Sequence, residues 1–265
     1  MRRELRRKRI KEKNKKSKSV AIGLWTGLAL ALLVLSFILI FFKVSNLDKF
    51  VFVNKTVDGG GEVVIVDPKA DRVLKYKILG DTVLESARGF GEYKLSSLWI
   101  LGEKEHFDGQ LVSESVRSNY LIPVYYWKNG KKTNLPLFER IKVILTNIGN
   151  ISYEKTLTSR DLQNGILINF LDNDIQEDNI TIEVNDLTGD QETINKVSKI
   201  LGTMGSKISN YTKGYDKDLD CEISGKNINA VKTIANVFGC KISNQNMSET
   251  VDITLNLGVL FANRF

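Results

Sequence analysis

This sequence predicts an α+β protein in which a single N-terminal transmembrane helix is followed by two small α/β ectodomains, on three observations. Residues 20–42 run for 23 positions without one charged side chain. Eleven Lys or Arg crowd residues 1–19 against only Glu4 and Glu12, a net charge of +9. The remaining 223 residues alternate short strand patterns with helical ones, enough for two domains near the common size of about 100–150 residues.

At about 1.5 Å per residue the charge-free run makes a helix of roughly 34 Å, against a hydrocarbon core of about 30 Å. The positive-inside rule keeps the basic tail, residues 1–19, in the cytoplasm and puts residues 43–265 outside, with 43–59 as a stalk. A secretory signal would be shorter, and no small-x-small cleavage site follows Phe42, so the segment reads as an uncleaved signal anchor of a single-pass cell-membrane protein. The chain as a whole carries +7, but the part beyond the tail holds 27 basic and 29 acidic residues. No nucleic-acid partner is expected; the basic charge belongs to the tail, where it meets the anionic inner leaflet.

The first ectodomain is expected over 60–150. Val63-Val64-Ile65-Val66 is a short apolar run suited to a buried strand, Asp67 to Asp71 is turn chemistry, and Leu74, Tyr76 and Ile78 alternate with Lys75 and Lys77. Leu95, Leu98 and Trp99 stand at helical spacing with Gly102 as a stop; Leu111, Val112, Ser115, Val116 and Asn119 mark another helix. Leu121 to Trp127 reads as a strand closed by Asn129-Gly130, and Leu137 to Ile148 as an amphipathic helix. Residues 151–178 form a linker.

The second ectodomain, 179–265, repeats the alternation. Ile180 to Val184 is a strand, Thr188-Gly189-Asp190 a turn with a helix cap, and Ile194, Val197, Ile200 and Leu201 one helix face ending at Gly202. Lys207 to Tyr211 and Asp220 to Ser224 are strands; Ile228, Val231, Ile234, Ala235 and Phe238 mark a helix ending at Gly239. Cys240 to Ile242 and Val251 to Leu257 complete a set of helices on one sheet face.

Specific residues carry a family resemblance. Ile182-Glu183-Val184-Asn185, Gly205-Ser206-Lys207-Ile208 and the closing Val251-Asp252-Ile253-Thr254-Leu255-Asn256-Leu257-Gly258 resemble the C-terminal domain of LytR-CpsA-Psr proteins. Ile65-Val66-Asp67-Pro68 and Ile78-Leu79-Gly80-Asp81-Thr82 are similar to the opening of that family's catalytic domain, including its "I-P-R-D-T" element. The resemblance implies a role in the bacterial cell envelope, where the family attaches polyprenyl-pyrophosphate-linked glycopolymers to peptidoglycan. In that chemistry arginines grip the pyrophosphate and acidic residues hold a metal. Asp81 is therefore the candidate catalytic and metal residue, with Mg2+ as the cofactor only if the chain is a phosphotransferase. Gly80 replaces the motif arginine, and Gly cannot replace a guanidinium. Arg88, Arg117, Arg140 and Arg160 show no spacing that would make an anion clamp. The reading favoured is a non-catalytic binding or scaffolding relative at the cell wall, without cofactor, whose partner is wall glycopolymer or an envelope protein; the transferase is the alternative.

Other chemistry is sparse. His106 is the sole histidine and sits among Glu103, Glu105 and Asp108, which suits a solvated loop. Gly59-Gly60-Gly61 lacks the Lys and Ser or Thr of a P-loop and reads as a joint or the entry to the first strand. Asp172, Asp174, Glu177 and Asp178 lack the turn Gly and terminal Glu of a calcium loop. Cys221 and Cys240 are an even pair, either bonded or two buried thiols.

Overall fold

The computed structural model describes residue 30 and residues 32–36, 49–70, 72–137, 140, 151–157, 166–172, 175–176, 179–243 and 251–265. They fall in two units, Met1–Leu47 and Asp48–Phe265.

In the first unit Leu30 and residues 32–36 are helical and exposed, with Ser36 Oγ donating to Leu33 O at 2.8 Å. Among the described residues no helix is long and apolar enough to cross a membrane. This corrects both the transmembrane helix expected over 20–42 and the single-pass cell-membrane location, with the bulk of the chain outside, that was built on it. Residues 32–36 supply about 8 Å of helix, far short of the ~30 Å that a span requires. The remainder of 20–42 and the basic tail lie outside the described residues.

The second unit opens with β1 (Phe50–Lys55), β2 (Gly61–Asp67) and β3 (Arg72–Ile78), an antiparallel meander. A hairpin of β4 (Val83–Ser86) and β5 (Gly91–Lys94) follows, then helices α1 (Leu95–Lys104) and α2 (Gln110–Tyr120). Strands β6 (Tyr126–Asn129), β7 (Lys132–Thr133) and β8 (Ile151–Thr156) complete a six-stranded sheet in the order β7-β6-β1-β2-β3-β8. The stalk expected over 43–59 therefore gives way at Phe50 to an interior strand, and the linker expected over 151–178 contributes an edge strand. Phe50-Val51-Phe52-Val53 explains the first point: Val51 and Val53 join the core under α1 and α2, while Phe50 and Phe52 pack on the other face with Val64, Val66 and Leu135. A strand covered on both faces reads as continuous apolar sequence rather than as alternation. Gly59 and Gly60 lie in the turn between β1 and β2, closed by Thr56 N–H to Gly60 O at 3.2 Å, and Gly61 opens β2.

Two further expectations change. Gly102 lies inside α1 instead of ending it, because the loop behind the helix crosses there: a Cβ would stand 2.0 Å from Asp108 O, and the N–H groups of Phe107 and Asp108 both reach Gly102 O at 2.8 Å. The strand expected over Leu121 to Trp127 begins only at Tyr126. Leu121 caps α2 in the left-handed region (φ 56°), and Pro123 removes a ladder donor. The helix expected over Leu137 to Ile148 is described only at Leu137 and Arg140; the rest lies outside the described residues.

Beyond Asn179 come β9 (Thr181–Leu187), α3 (Gln191–Thr203), β10 (Lys207–Lys213), β11 (Cys221–Gly225), α4 (Ile228–Phe238), β12 (Lys241–Ile242), β13 (Ile253–Gly258) and α5 (Val259–Arg264). The order follows the predicted alternation as far as β13; the terminal helix α5 is not expected from it. Local chemistry sets its boundaries: Asp190 caps α3 by accepting from Glu192 N at 3.0 Å, Asn227 caps α4, and Gly239 ends α4 in the left-handed region (φ 67°). The sheet order is β10-β9-β13-β11-β12, so the last strand lies between two earlier ones, with Leu255 opposite both Val184 and Ile223. One apolar cluster joins these strands to Ile194, Val197 and Leu201 of α3 and Val231, Ile234 and Phe238 of α4.

Trp99 is wholly buried under the first sheet, its indole N–H donating to Gly60 O at 3.1 Å. Trp99→Ala is expected to cost about 3–5 kcal/mol, read from the urea midpoint at unchanged m-value. In the second sheet Asp252 accepts from Thr181 Oγ1 (2.6 Å) and Thr181 N (2.9 Å), and the hydroxyl bond, helped by the amide, holds its carboxyl below the usual value of 3.8. A depressed carboxyl contributes stability that is present above that usual value and is lost as pH falls through the lower folded value. Asp252→Asn should therefore flatten the acid limb of a stability-versus-pH curve below about pH 4, and an unchanged limb would count against the contact.

Candidate functional site

The β4–β5 hairpin, α2, the start of α3 and α5 enclose a cleft of about 330 Å³ lined by Ser86, Arg88, Ser118, Thr193, Lys196, Asn263 and neighbouring groups. Arg88 stands in the 3-10 turn Ala87–Gly89 at the hairpin tip, itself in the left-handed region (φ 66°). That conformation is costly for a residue with a Cβ and persists only where surrounding contacts fix it. Here Glu114 of α2 does so: Arg88 Nε and Nη2 donate to its two carboxylate oxygens at 2.8 and 2.9 Å, and the guanidinium lies 4.2 Å from the Phe107 ring centre. Gln110 adds a third bond to Glu114 at 2.9 Å.

One turn along α2, Arg117 is 3% exposed. Its Nη1 donates to the carbonyl of Val237 at the C-terminal end of α4. Phe265 and Phe238 rings lie 5.0 and 6.0 Å from its Cζ. Nε and Nη2 of Arg117 have no hydrogen-bond partner among the described residues. Burial pulls the Arg117 pKa down to about 10, with Glu114 opposing and Arg264 and Arg88 adding to the fall, so the group stays charged at neutral pH. Arg264 of α5 works on the same helix end, donating to Phe238 O (3.0 Å) and Gly239 O (3.2 Å) while pairing with Asp220 at 2.8 Å. Two arginines thus occupy the carbonyl end of α4, where the helix dipole is negative.

Lys196, which lines the cleft, pairs with Glu192 at 2.9 Å and Glu85 at 3.5 Å. Burial lowers the Lys196 pKa, and the two carboxylates together outweigh burial and raise it.

The residues singled out from sequence fall elsewhere. Asp81 is exposed in the turn after β3 and makes no ion pair or side-chain hydrogen bond among the described residues. Gly80 beside it is packed against Asp58 to Gly60; a Cβ there would meet Asp58 O at 3.1 Å and two backbone atoms at 3.2 Å. No group of three or more metal-ligating side chains occurs among the described residues. His106 is exposed in the loop after α1. Asp172 is buried, whereas Asp174, Glu177, Asp178 and Arg160 lie outside the described residues. Cys221 and Cys240 form a disulfide with Cα atoms 4.6 Å apart, joining β11 to the segment after α4.

Arg88 and Arg117, dispersed in sequence, are brought together with Arg264, although Asp81 is not among them. Sequence reasoning missed Glu114, Ser118, Lys196 and Arg264. A signal existed in Ser113-Glu114-Ser115-Val116-Arg117-Ser118: small hydroxyls let a helix pack closely on several sides, and Glu114 and Arg117 at i,i+3 share a face. No family model matches this chain, and comparison with curated proteins and with solved structures also gives no match.

Glu114→Gln should destabilise the fold by about 3–5 kcal/mol, because it leaves Arg88 and Arg117 without their shared counter-charge. Chemical denaturation checks this; a loss under 1 kcal/mol would mean that the pair is replaceable by solvent.

Proposed function

We propose that this protein is a non-catalytic binding or scaffolding relative of LytR-CpsA-Psr proteins, acting at the bacterial cell wall on a wall glycopolymer or an envelope partner. The observation that carries the reading is the state of the Gly80-Asp81 step. Transfer of a pyrophosphate-linked polymer needs a guanidinium on the phosphates and a carboxylate on the metal, side by side. Here the arginine position is a glycine pressed against backbone, and the carboxylate beside it is exposed. Of the arginines that do converge, Arg88 is paired with Glu114, while Arg117 and Arg264 donate to carbonyls at the end of α4.

Two further features support binding. The polar cleft between the β4–β5 hairpin and α3 offers charged, hydroxyl and amide groups in the mixture that recognises sugars and peptides. The Cys221–Cys240 disulfide suits an oxidising compartment, and a loop of that size adds roughly 3 kcal/mol by restricting the unfolded chain.

The test uses isolated cell wall with and without its attached glycopolymer. The protein should be retained in at least one of the two, and Asp81→Ala should bind within about twofold of the parent. Polymer transfer from a polyprenyl-pyrophosphate donor that disappears in Asp81→Ala would replace the binding reading with the transferase.

A further inference from the structure

We propose that the cleft binds a sugar bearing an unblocked amino group, and that Glu85, Glu192 and Ser118 receive its ammonium. The inference rests on the binding reading only for the source of such a sugar, the wall glycopolymer; its chemistry comes from three side chains that line the cleft. Glu85 stands on β4 and Glu192 in the first turn of α3, and both converge on one ammonium, Lys196 Nζ, at 3.5 and 2.9 Å. Their side chains are 65% and 72% exposed, so both carboxylates are open to a ligand. Ion pairs this exposed add little to stability and exchange readily. The other charges of the lining are engaged elsewhere: Arg88 with both Glu114 oxygens, and Asp190 as the cap of α3. Two carboxylates therefore face a single cation, which leaves one negative charge in excess.

Ser118 points to a ligand independently of that charge. It lines the cleft, is 7% exposed, and its hydroxyl makes no hydrogen bond among the described residues. The other two hydroxyls of the lining are engaged, Ser86 Oγ on Ala87 O at 2.8 Å and Thr193 Oγ1 on Asp190 at 2.6 Å. A polar group this buried is ordinarily hydrogen-bonded, and a ligand that enters the cleft completes it. Asn119 holds Glu85 beside it: Glu85 N donates to Asn119 Oδ1 at 3.0 Å and Asn119 Nδ2 to Glu85 O at 2.7 Å. A primary ammonium has three N–H donors and no acceptor, and the two carboxylates and the hydroxyl are its three acceptors. The rest of the lining suits a sugar ring. Asn263 is exposed, its amide makes no hydrogen bond among the described residues, and Ala262 and Phe265 supply apolar surface for ring C–H groups. A peptide amine is disfavoured, because the β4 edge on which an extended backbone would pair is taken by Asn119 and by Ser115 Oγ, which accepts from Ala87 N at 3.0 Å.

The experiment titrates the full chain calorimetrically with a glucosamine disaccharide, its N-acetylated form and lysine amide, at constant ionic strength and about pH 6.5, below the usual amine pKa. Saturable binding of the free disaccharide is expected, with the acetylated form and lysine amide each at least tenfold weaker. Glu85→Gln and Glu192→Gln should each weaken binding about fivefold, and Ser118→Ala about threefold. Lys196→Met removes the internal competitor for the two carboxylates and should tighten binding several-fold, an outcome that a purely structural role of the ion pairs does not produce. The two glutamates are exposed and Ser118 loses only a hydroxyl without a partner, so these variants keep the fold. Equal affinity for the free and acetylated disaccharides, tighter binding of lysine amide, weaker binding in Lys196→Met, or no binding at all overturns the inference. Wall retention is measured beside these titrations. Disaccharide binding without wall retention removes the binding reading and leaves the amino-sugar site, whereas wall retention without disaccharide binding does the reverse.

Discussion

The bond from Arg117 to Val237 O is the constraint on which the arrangement of Asp48–Phe265 depends. It joins a helix that packs under the first sheet to the end of a helix that packs under the second, across 120 positions of sequence. The last carbonyls of α4 have no acceptor role left within the helix, and a buried helix end without partners is unstable. Arg117 and Arg264 supply those partners from two different elements. Other contacts follow from the same approach: Lys196 to Glu85, Thr203 Oγ1 to Leu121 O at 3.3 Å, and Asp172 N to Met204 O at 3.1 Å.

Placing a guanidinium there has consequences for the surrounding charge. Glu114 must be buried to offset Arg88 and Arg117, and Arg88 must adopt a left-handed backbone to reach it. The hairpin tip is thereby pinned over α2, and the cleft takes its shape from that pinning. A second buried network works in the same way at the far end of β2: Asp67 pairs with Lys49 at 3.5 Å and Arg72 at 3.4 Å, and Lys49 also donates to Leu171 O at 2.7 Å. Desolvation there pulls Lys49 below its usual pKa despite Asp67. Each network ties a segment distant in sequence to a sheet, and each is sealed by charge rather than by apolar area.

The functional reading separates cleanly along these lines. The Gly80-Asp81 step is a tight exposed turn in which a Cβ at position 80 would stand 3.1–3.2 Å from backbone atoms of Asp58 to Gly60.

The sequence by itself determined what is set by near neighbours. The strand and helix order beyond Asn179, the Asp190 cap, the Gly239 stop and the half-buried alternation of Leu74, Tyr76 and Ile78 all arise from periods of two or 3.6 residues and from caps acting within a turn. A charge-free run over 20–42 fixed composition but not helix length, and the described helix covers only part of it. Tertiary structure decided the rest. β1 became an interior strand because both of its faces found apolar cover, and Gly102 became a crossing point because a loop five residues on passes over it. Arg88, Arg117 and Arg264 converged although their spacing carries no pattern, since the energy of a buried charge is set by whichever groups the fold brings within a few ångströms, and sequence distance does not enter it.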